Sequence, residues 1–377
     1  MLYDIPSRPT PSDVSPPRAA SLAASDSAAP ASRRRICIVM MSAVGDAVHV
    51  LPVVHALKRH DPASHITWVL QPGPATLVRG HPLVDDIITF DRRRGWRAFR
   101  DVRRALHERQ FDITLALQDY FKAGVITSFT RAPMRLGYDR TRARDLNWLF
   151  TNRQIPPSAP RHIQDEYLEF VTALGIATEP VQWGLGPWEH ERAAQAEFVS
   201  RFDHPIAALV IGSSRPDKDW VPERWAELCD ALVANFGLHP VLVGGRSPRE
   251  VETESVILSS TRHTPTSALN SGLRPLVGIL DAASLVISLD TGPLHMAVAL
   301  DRPVVSLIGF SNPLRTGPYR RFHDLIVNAY GETMRNGELA TDRRLGRTAT
   351  ITTRQVLEKV QLWWDRYAGG DARSVGY

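Results

Sequence analysis

Cysteine is nearly missing from this chain: Cys37 and Cys229 are the only two among 377 residues. One falls in a predicted strand and the other in a predicted helix, without metal-ligand spacing. Both read as buried thiols, which argues against a disulfide framework, a zinc site or redox chemistry. Long apolar runs are missing as well. No stretch approaches the roughly 20 uninterrupted apolar residues of a membrane span, and no short apolar run behind an N-terminal charge reads as a secretory signal, so a cytoplasmic location is expected. The chain also lacks the G-x-G-x-x-G dinucleotide fingerprint and the G-x-x-x-x-G-K-S/T phosphate loop, which disfavours hydride transfer and ATP hydrolysis. No His/Asp/Glu cluster has metal-ligand spacing. Aromatics interleaved with basic residues are limited to Trp96 and Phe99, too few to predict a nucleic-acid partner.

What the chain does have is length, charge and rhythm. Its 377 residues exceed the size of one ordinary hydrophobic core, so two domains are expected. A formal net charge of +5 suits anionic partners, although arginine is spread widely enough for a solvated surface to explain most of it. Residues 1–34 form a tail rich in Ala, Ser and Pro, expected to be disordered. From Arg35 onward, short β-branched runs (Ile36 to Met41, Ile66 to Leu70, Ile87 to Phe90, Ile113 to Leu117) alternate with helical patterns at Val48 to Lys58 and Trp96 to Leu106. Apolar strands without in/out alternation, separated by helices, predict a parallel sheet covered on both faces.

The passage Glu179 to Pro187, rich in Pro, Gly and Trp, breaks this rhythm and is the predicted linker. Beyond it, strands are predicted at Ala207 to Ile211, Val241 to Val243, Leu285 to Leu289 and Val304 to Ile308. Helices are predicted at Pro222 to Phe236, Leu294 to Leu300 and Thr353 to Tyr367. The expected organisation is therefore α/β, with Rossmann-like domains at 35–185 and 186–377.

Three turns carry the chemistry. Met41-Ser42-Ala43-Val44-Gly45-Asp46 puts one carboxylate between a strand and a helix, where open α/β sheets bind ligands; Asp46 reads either as a proton acceptor or as a helix cap. Gly212 to Trp220 follows another strand. There Ser213 and Ser214 offer hydroxyls and Lys218 a point charge to phosphate oxygens, while the competing reading is a solvated turn. In Asp290-Thr291-Gly292-Pro293-Leu294-His295, Gly292 permits close backbone approach, Thr291 offers a hydroxyl, and the following helix presents free amides that suit a diphosphate. His295 either donates to the same phosphates or simply packs.

Together these segments resemble one family. The Ser-x-x-Gly-Asp turn with His49, Leu51 and Pro52 behind it, the Lys218-x-Trp220-x-Pro222-x-x-Trp225 run, and Asp290-Thr291-Gly292-x-x-His295 followed by Gly309 to Thr316 look like glycosyltransferase family 9, the lipopolysaccharide heptosyltransferase family. The resemblance runs, with gaps, from about Arg35 to Tyr319. It implies a GT-B fold of two facing Rossmann-like domains. It also implies an inverting, metal-independent transfer, without a cofactor, from a nucleotide sugar (typically ADP-heptose) to a lipopolysaccharide core acceptor. On this basis Asp46 matches the base, and Ser213, Ser214 and Lys218 match the diphosphate contacts. Asp290, Thr291, Gly292 and His295 match the donor loop, and Glu250 matches a ribose contact.

One departure stands at Met40, where family members commonly carry Lys or Arg able to reach an acidic acceptor sugar. Arg131, Arg135, Arg140, Arg142 and Arg144 cluster in the first half as substitutes, or as a solvated face. The run from Arg92 to Leu106 is a basic amphipathic helix, suited either to peripheral contact with the inner membrane face or to covering the sheet. Two alternatives stay open: another nucleotide sugar on the same fold, and a non-catalytic nucleotide-sugar binder.

Overall fold

Strands that are apolar throughout can be buried only if both faces of their sheet are covered, and this chain satisfies that requirement twice. The computed structural model describes residues 33–368; the tail expected to be disordered lies, up to Ser32, outside the described residues. The first sheet contains β1 (Arg35–Val39), β2 (His65–Leu70), β3 (Asp86–Thr89), β4 (Ile113–Ala116), β5 (Met134–Gly137) and β6 (Arg153–Gln154), all parallel, in the order β3-β2-β1-β4-β5-β6. The second contains β7 (Ile206–Val210), β8 (His239–Val243), β9 (Thr266–Ser267), β10 (Leu285–Leu289), β11 (Val304–Ile308) and β12 (Ile326–Asn328), again parallel, in the order β12-β11-β10-β7-β8-β9.

Helices α1 (Val44–His60) and α2 (Pro72–Val78) cover one face of the first sheet, α3 (Trp96–His107) and α4 (Phe121–Phe129) cover the other, and α5 (Ile163–Ala173) returns to the first. The second sheet is flanked by α6 (Glu189–Val199), α7 (Pro222–Phe236), α8 (Pro248–Ser260), α9 (Leu273–Ala282), α10 (Gly292–Ala299), the short α11 (Pro313–Thr316) and α12 (Thr353–Arg366). Local signals set the helix limits. Pro222 opens α7 and Gly237, at φ 61°, closes it; Ser247 and Glu250 form a capping box on α8, as Thr352 and Gln355 do on α12. Both cysteines are buried, and loss of water pushes the Cys229 thiol up to about 12 and Cys37 higher still, so both stay protonated as inert packing groups.

The linker passage is irregular, as its composition predicts. Arg274 of α9 stitches it to both sheets' helices: its guanidinium donates to the Leu77 carbonyl at 3.2 Å and the Leu185 carbonyl at 2.9 Å, pairs with Glu191, and lies 3.6 Å from the centre of the Trp188 ring.

Each sheet reverses its winding direction once, between β1 and β4 and between β7 and β10. Crevices outside the carboxyl ends of strands at such switch points are where open α/β sheets bind ligands. The loops that leave β1, β7 and β10 are the three turns singled out from the sequence.

Candidate functional site

Asp46 sits in the first turn of α1, at the third helical position rather than at the cap. Its Oδ2 accepts from the Ala43 backbone N–H at 2.5 Å, so the carboxylate satisfies one of the helix's orphan donors. Its Oδ1 accepts from the Tyr167 phenol of α5 at 2.9 Å. Each carboxylate oxygen has two acceptor sites, which leaves capacity on both for a hydroxyl arriving from the cleft. Loss of surrounding water raises the Asp46 pKa above the usual carboxylate value, outweighing the Ala43 N–H, the Tyr167 phenol and the nearby charge of Lys218, which all oppose the rise. The result is a more basic carboxylate, still open to solvent at one side.

The starts of α1 and α10 meet at two glycines. A Cβ on Gly45 would lie 2.8 Å from the His295 ring, and one on Gly292 would lie 2.9 Å from Val44 Cγ1 and 3.2 Å from the Gly45 nitrogen. Two positive helix ends therefore converge at one point, a setting that favours an anion. Behind them the seam is lined with histidine. His49 lies 4.3 Å, ring centre to ring centre, from His295 and 5.8 Å from His162, and its Nδ1 is 3.1 Å from Gln164 Oε1. Burial holds His49 and His162 down at about 4 and His295 well below the ordinary value, so all three rings are neutral near pH 7. His295 accordingly occupies a packing position between the halves, and any donation to phosphate would come from a neutral imidazole.

On the opposite side, Lys218 ends a tight turn, Pro216–Lys218, after β7. Its Nζ donates to the Asp290 carbonyl at 2.8 Å, pairs with Asp290 Oδ2 at 3.0 Å, and lies 5.2 Å from the centre of the Phe310 ring. Asp290 is buried, and its Oδ2 also accepts from the Ser311 hydroxyl. A buried carboxylate must be paired; this one faces inward and holds the lysine. Thr291 caps α10 without a side-chain cap bond, its hydroxyl 3.4 Å from the Leu289 carbonyl.

The Ser213 hydroxyl is engaged within its own turn. It is within reach of the Arg215 carbonyl at 2.5 Å and Asp219 Oδ1 at 2.6 Å, and Asp219 pairs with Arg249, which bonds the Ser213 carbonyl. Ser214 is exposed, with no partner among the described residues. Glu250 accepts from the Gly245 N–H at 2.7 Å and the Ser247 N–H at 2.8 Å, and its carboxyl fills the space where a Gly212 side chain would stand. It lies beside the Lys218 loop with lone pairs to spare.

The Met40 side chain is buried in the core. Of the five arginines proposed to replace its cation, Arg142 is bound to Asp139 and Glu169, Arg144 to Asp119, and Arg135 to backbone carbonyls. Arg140 stacks on Trp148 and Arg131 is exposed. The group is thus mostly structural.

Sequence reasoning missed α5 and with it Tyr167, whose phenol meets Asp46 from 121 positions away. The same helix reaches the second half: Glu166 takes a two-pronged bond from Arg315 at 2.6 and 3.2 Å, Asp165 accepts from the Tyr319 phenol at 2.6 Å, and His162 lies 3.0 Å from the Gly317 carbonyl. No local pattern signals these partners. Among the described residues, no three His, Cys, Asp or Glu side chains are grouped as metal ligands.

Two doubly wound halves with a basic turn facing a carboxylate turn across their switch points make up the GT-B architecture of sugar-nucleotide-dependent glycosyltransferases. Residues 99–341 match Glycosyltransferase family 9 (heptosyltransferase), and the chain belongs to that family. The matched span includes Lys218, Glu250 and the Asp290 loop but begins after Asp46. Among curated proteins, the chain is 29% identical over 300 residues to the lipopolysaccharide core heptosyltransferase OpsX of Haemophilus influenzae, covering 79% of this chain and 85% of that protein. It is 28% identical over 298 residues to lipopolysaccharide heptosyltransferase 1 of Salmonella typhimurium, covering 76% and 91%. Among solved structures, a family 9 glycosyl transferase from Veillonella parvula superposes with a TM-score of 0.73 at 23% identity, over 87% of this chain and 96% of that one. The E. coli heptosyltransferase WaaC with ADP gives 0.68 at 24% identity, over 89% and 99%. Both likenesses bear out the fold.

Proposed function

We propose that this glycosyltransferase moves a heptose from ADP-heptose to a lipopolysaccharide core or related surface-glycan acceptor, inverting the anomeric centre and using no metal ion or other cofactor. The observation that carries the reading is Lys218, fixed by Asp290 on the donor side, with its charge felt by Asp46 on the acceptor side. The reaction is a single in-line displacement. The acceptor hydroxyl attacks the anomeric carbon, its proton passes to Asp46, and the bond to the diphosphate breaks on the opposite face. The leaving charge is met by Lys218, by the free amides of α10 and by the hydroxyls of Thr291 and Ser214, which together supply what a divalent ion supplies elsewhere. Ser213 shapes the phosphate turn, Gly292 lets the backbone approach, His295 braces the seam, and Glu250 accepts from the donor ribose. The acceptor is an anionic glycolipid, so the protein works as a peripheral protein at the cytoplasmic face of the inner membrane.

The test is nucleotide release and product mass with ADP-heptose and a heptose-free lipopolysaccharide acceptor. Asp46→Asn is expected to cost at least about a hundredfold in turnover with donor binding kept. Lys218→Met is expected to cost roughly 10² to 10³. Wild type that binds ADP-heptose but forms no product sinks the transfer reading and leaves a nucleotide-sugar binder. Transfer from a different nucleotide sugar alone corrects the donor.

A further inference from the structure

Large apolar side chains exposed one at a time are ordinary on protein surfaces. Here four of them gather on one edge of the first half. Trp96 is 66% exposed, Phe121 48%, Leu146 56% and Leu149 57%. Trp96 begins α3 and Phe121 begins α4, so the parallel sheet sets both at its carboxyl edge, the edge that carries Asp46. Leu146 and Leu149 come from the loop after β5, which reaches the same edge. That loop is pinned to α4: Asn147 donates to the Tyr120 carbonyl at 2.8 Å, Arg144 pairs with Asp119 at 3.0 Å, and the Phe121 and Phe150 rings meet edge to face at 5.3 Å. The patch also borders the acceptor turn, because the Tyr120 phenol oxygen lies 3.5 Å from the Ser42 hydroxyl.

The surroundings are basic. Between positions 92 and 104 the chain carries seven arginines, all exposed, against one acid, Asp101, which Arg94 binds at 2.8 Å; Lys122 stands exposed beside Phe121. The buried stripe of α3, Ala98, Val102 and Leu106, is used up against the sheet. The helix therefore cannot roll over to insert that stripe in a bilayer, and its arginine face and its Trp96 end are what remain to offer.

We propose that this edge is a docking face for an anionic lipid bilayer. Trp96, Phe121, Leu146 and Leu149 enter the headgroup boundary and the α3 arginines lie on the charged surface, presenting a lipid-borne acceptor hydroxyl to Asp46. Aromatic side chains favour that boundary, and basic residues close to an anionic surface each add attraction that salt removes. The inference rests on the acceptor being lipid-borne, as proposed above.

The experiment is co-sedimentation of the full chain with vesicles of phosphatidylcholine with and without phosphatidylglycerol. It compares wild type, Trp96→Ser/Leu149→Ser, and Arg93→Gln/Arg97→Gln/Arg100→Gln, with transfer to a delipidated, water-soluble acceptor measured in parallel. Wild type should bind only with phosphatidylglycerol and weaken as salt rises. Each variant should bind at least about tenfold more weakly while keeping transfer to the soluble acceptor. Absence of wild-type binding, or variants that bind as well as wild type, overturns the docking face. So does a concentration-dependent dimer that the same substitutions dissolve, which would make the edge a contact between two copies. Loss of wild-type transfer to the soluble acceptor counts against the proposed reaction, independently of vesicle binding.

Discussion

Replacing Tyr167 by Phe removes one oxygen and, with it, the 2.9 Å hydrogen bond to Asp46 Oδ1. The phenol is buried, and its pKa is raised well above the ordinary value by burial first and by the Asp46 charge second, so it remains a donor at every practical assay pH. A hydrogen bond to a charged group is worth about 1.5–3 kcal/mol. At roughly 1.4 kcal/mol per pKa unit, its loss raises the Asp46 pKa by about one to two units beyond its already raised position. The sign follows from the proposed role: a base works deprotonated, so turnover falls as pH drops through its pKa. Tyr167→Phe therefore moves the acidic limb of the pH profile upward by about one to two units. At high pH, where Asp46 is ionised in both proteins, most of the activity returns. The assay is ADP release against pH under saturating and limiting acceptor, with donor affinity measured separately. A variant whose limb coincides with wild type, or whose loss is the same at every pH, refutes the link between this phenol and the base.

Gly45→Ala drives a methyl to within 2.8 Å of the His295 ring at the meeting point of α1 and α10; overpacking of this kind costs about 1–3 kcal/mol, read as a lower urea midpoint together with a loss of transfer. The seam histidines predict acid lability. His49 and His162 have folded-state values of about 4 against 6.5 for the free side chain, so the unfolded chain binds their protons first. The stability they confer is present above about pH 6.5 and drains away as pH falls toward 4. Urea midpoints taken between neutral and mildly acidic pH should show that slope, and His49→Gln should flatten it; an unchanged slope would place the acid sensitivity elsewhere.

The central strands could be read from the chain because a fully buried parallel strand is written as a short apolar run: Leu285–Leu289 and Val304–Ile308 appear where their sequences put them. Helix α7 announces itself through Pro222 and Gly237. The short edge strands β6 and β9, two residues each, fall below any periodicity. The α5 segment hides for a different reason. Gln164 and Glu166 are polar yet buried, because their partners are His49 on one side and Arg315 on the other, each more than a hundred positions away. Two polar residues in the first turn, on a buried face otherwise made of Tyr167, Leu168, Phe170 and Val171, blur the amphipathic signature. Asp46 and Lys218 were legible as residues of the right kind at strand ends, whereas the inward turn of Asp290 and the neutral packing of His295 depend on burial that only the folded chain defines.

The bare contact between Gly45 and Gly292 sets a rule for anyone recombining this enzyme. Each glycine is the space into which the other half's backbone or ring fits, so the acceptor turn and the donor turn are matched parts, although they lie far apart in sequence. A chimera that takes one half from a relative inherits a joint whose two faces must both arrive without side chains, whatever sugar or glycan the imported half was shaped to hold.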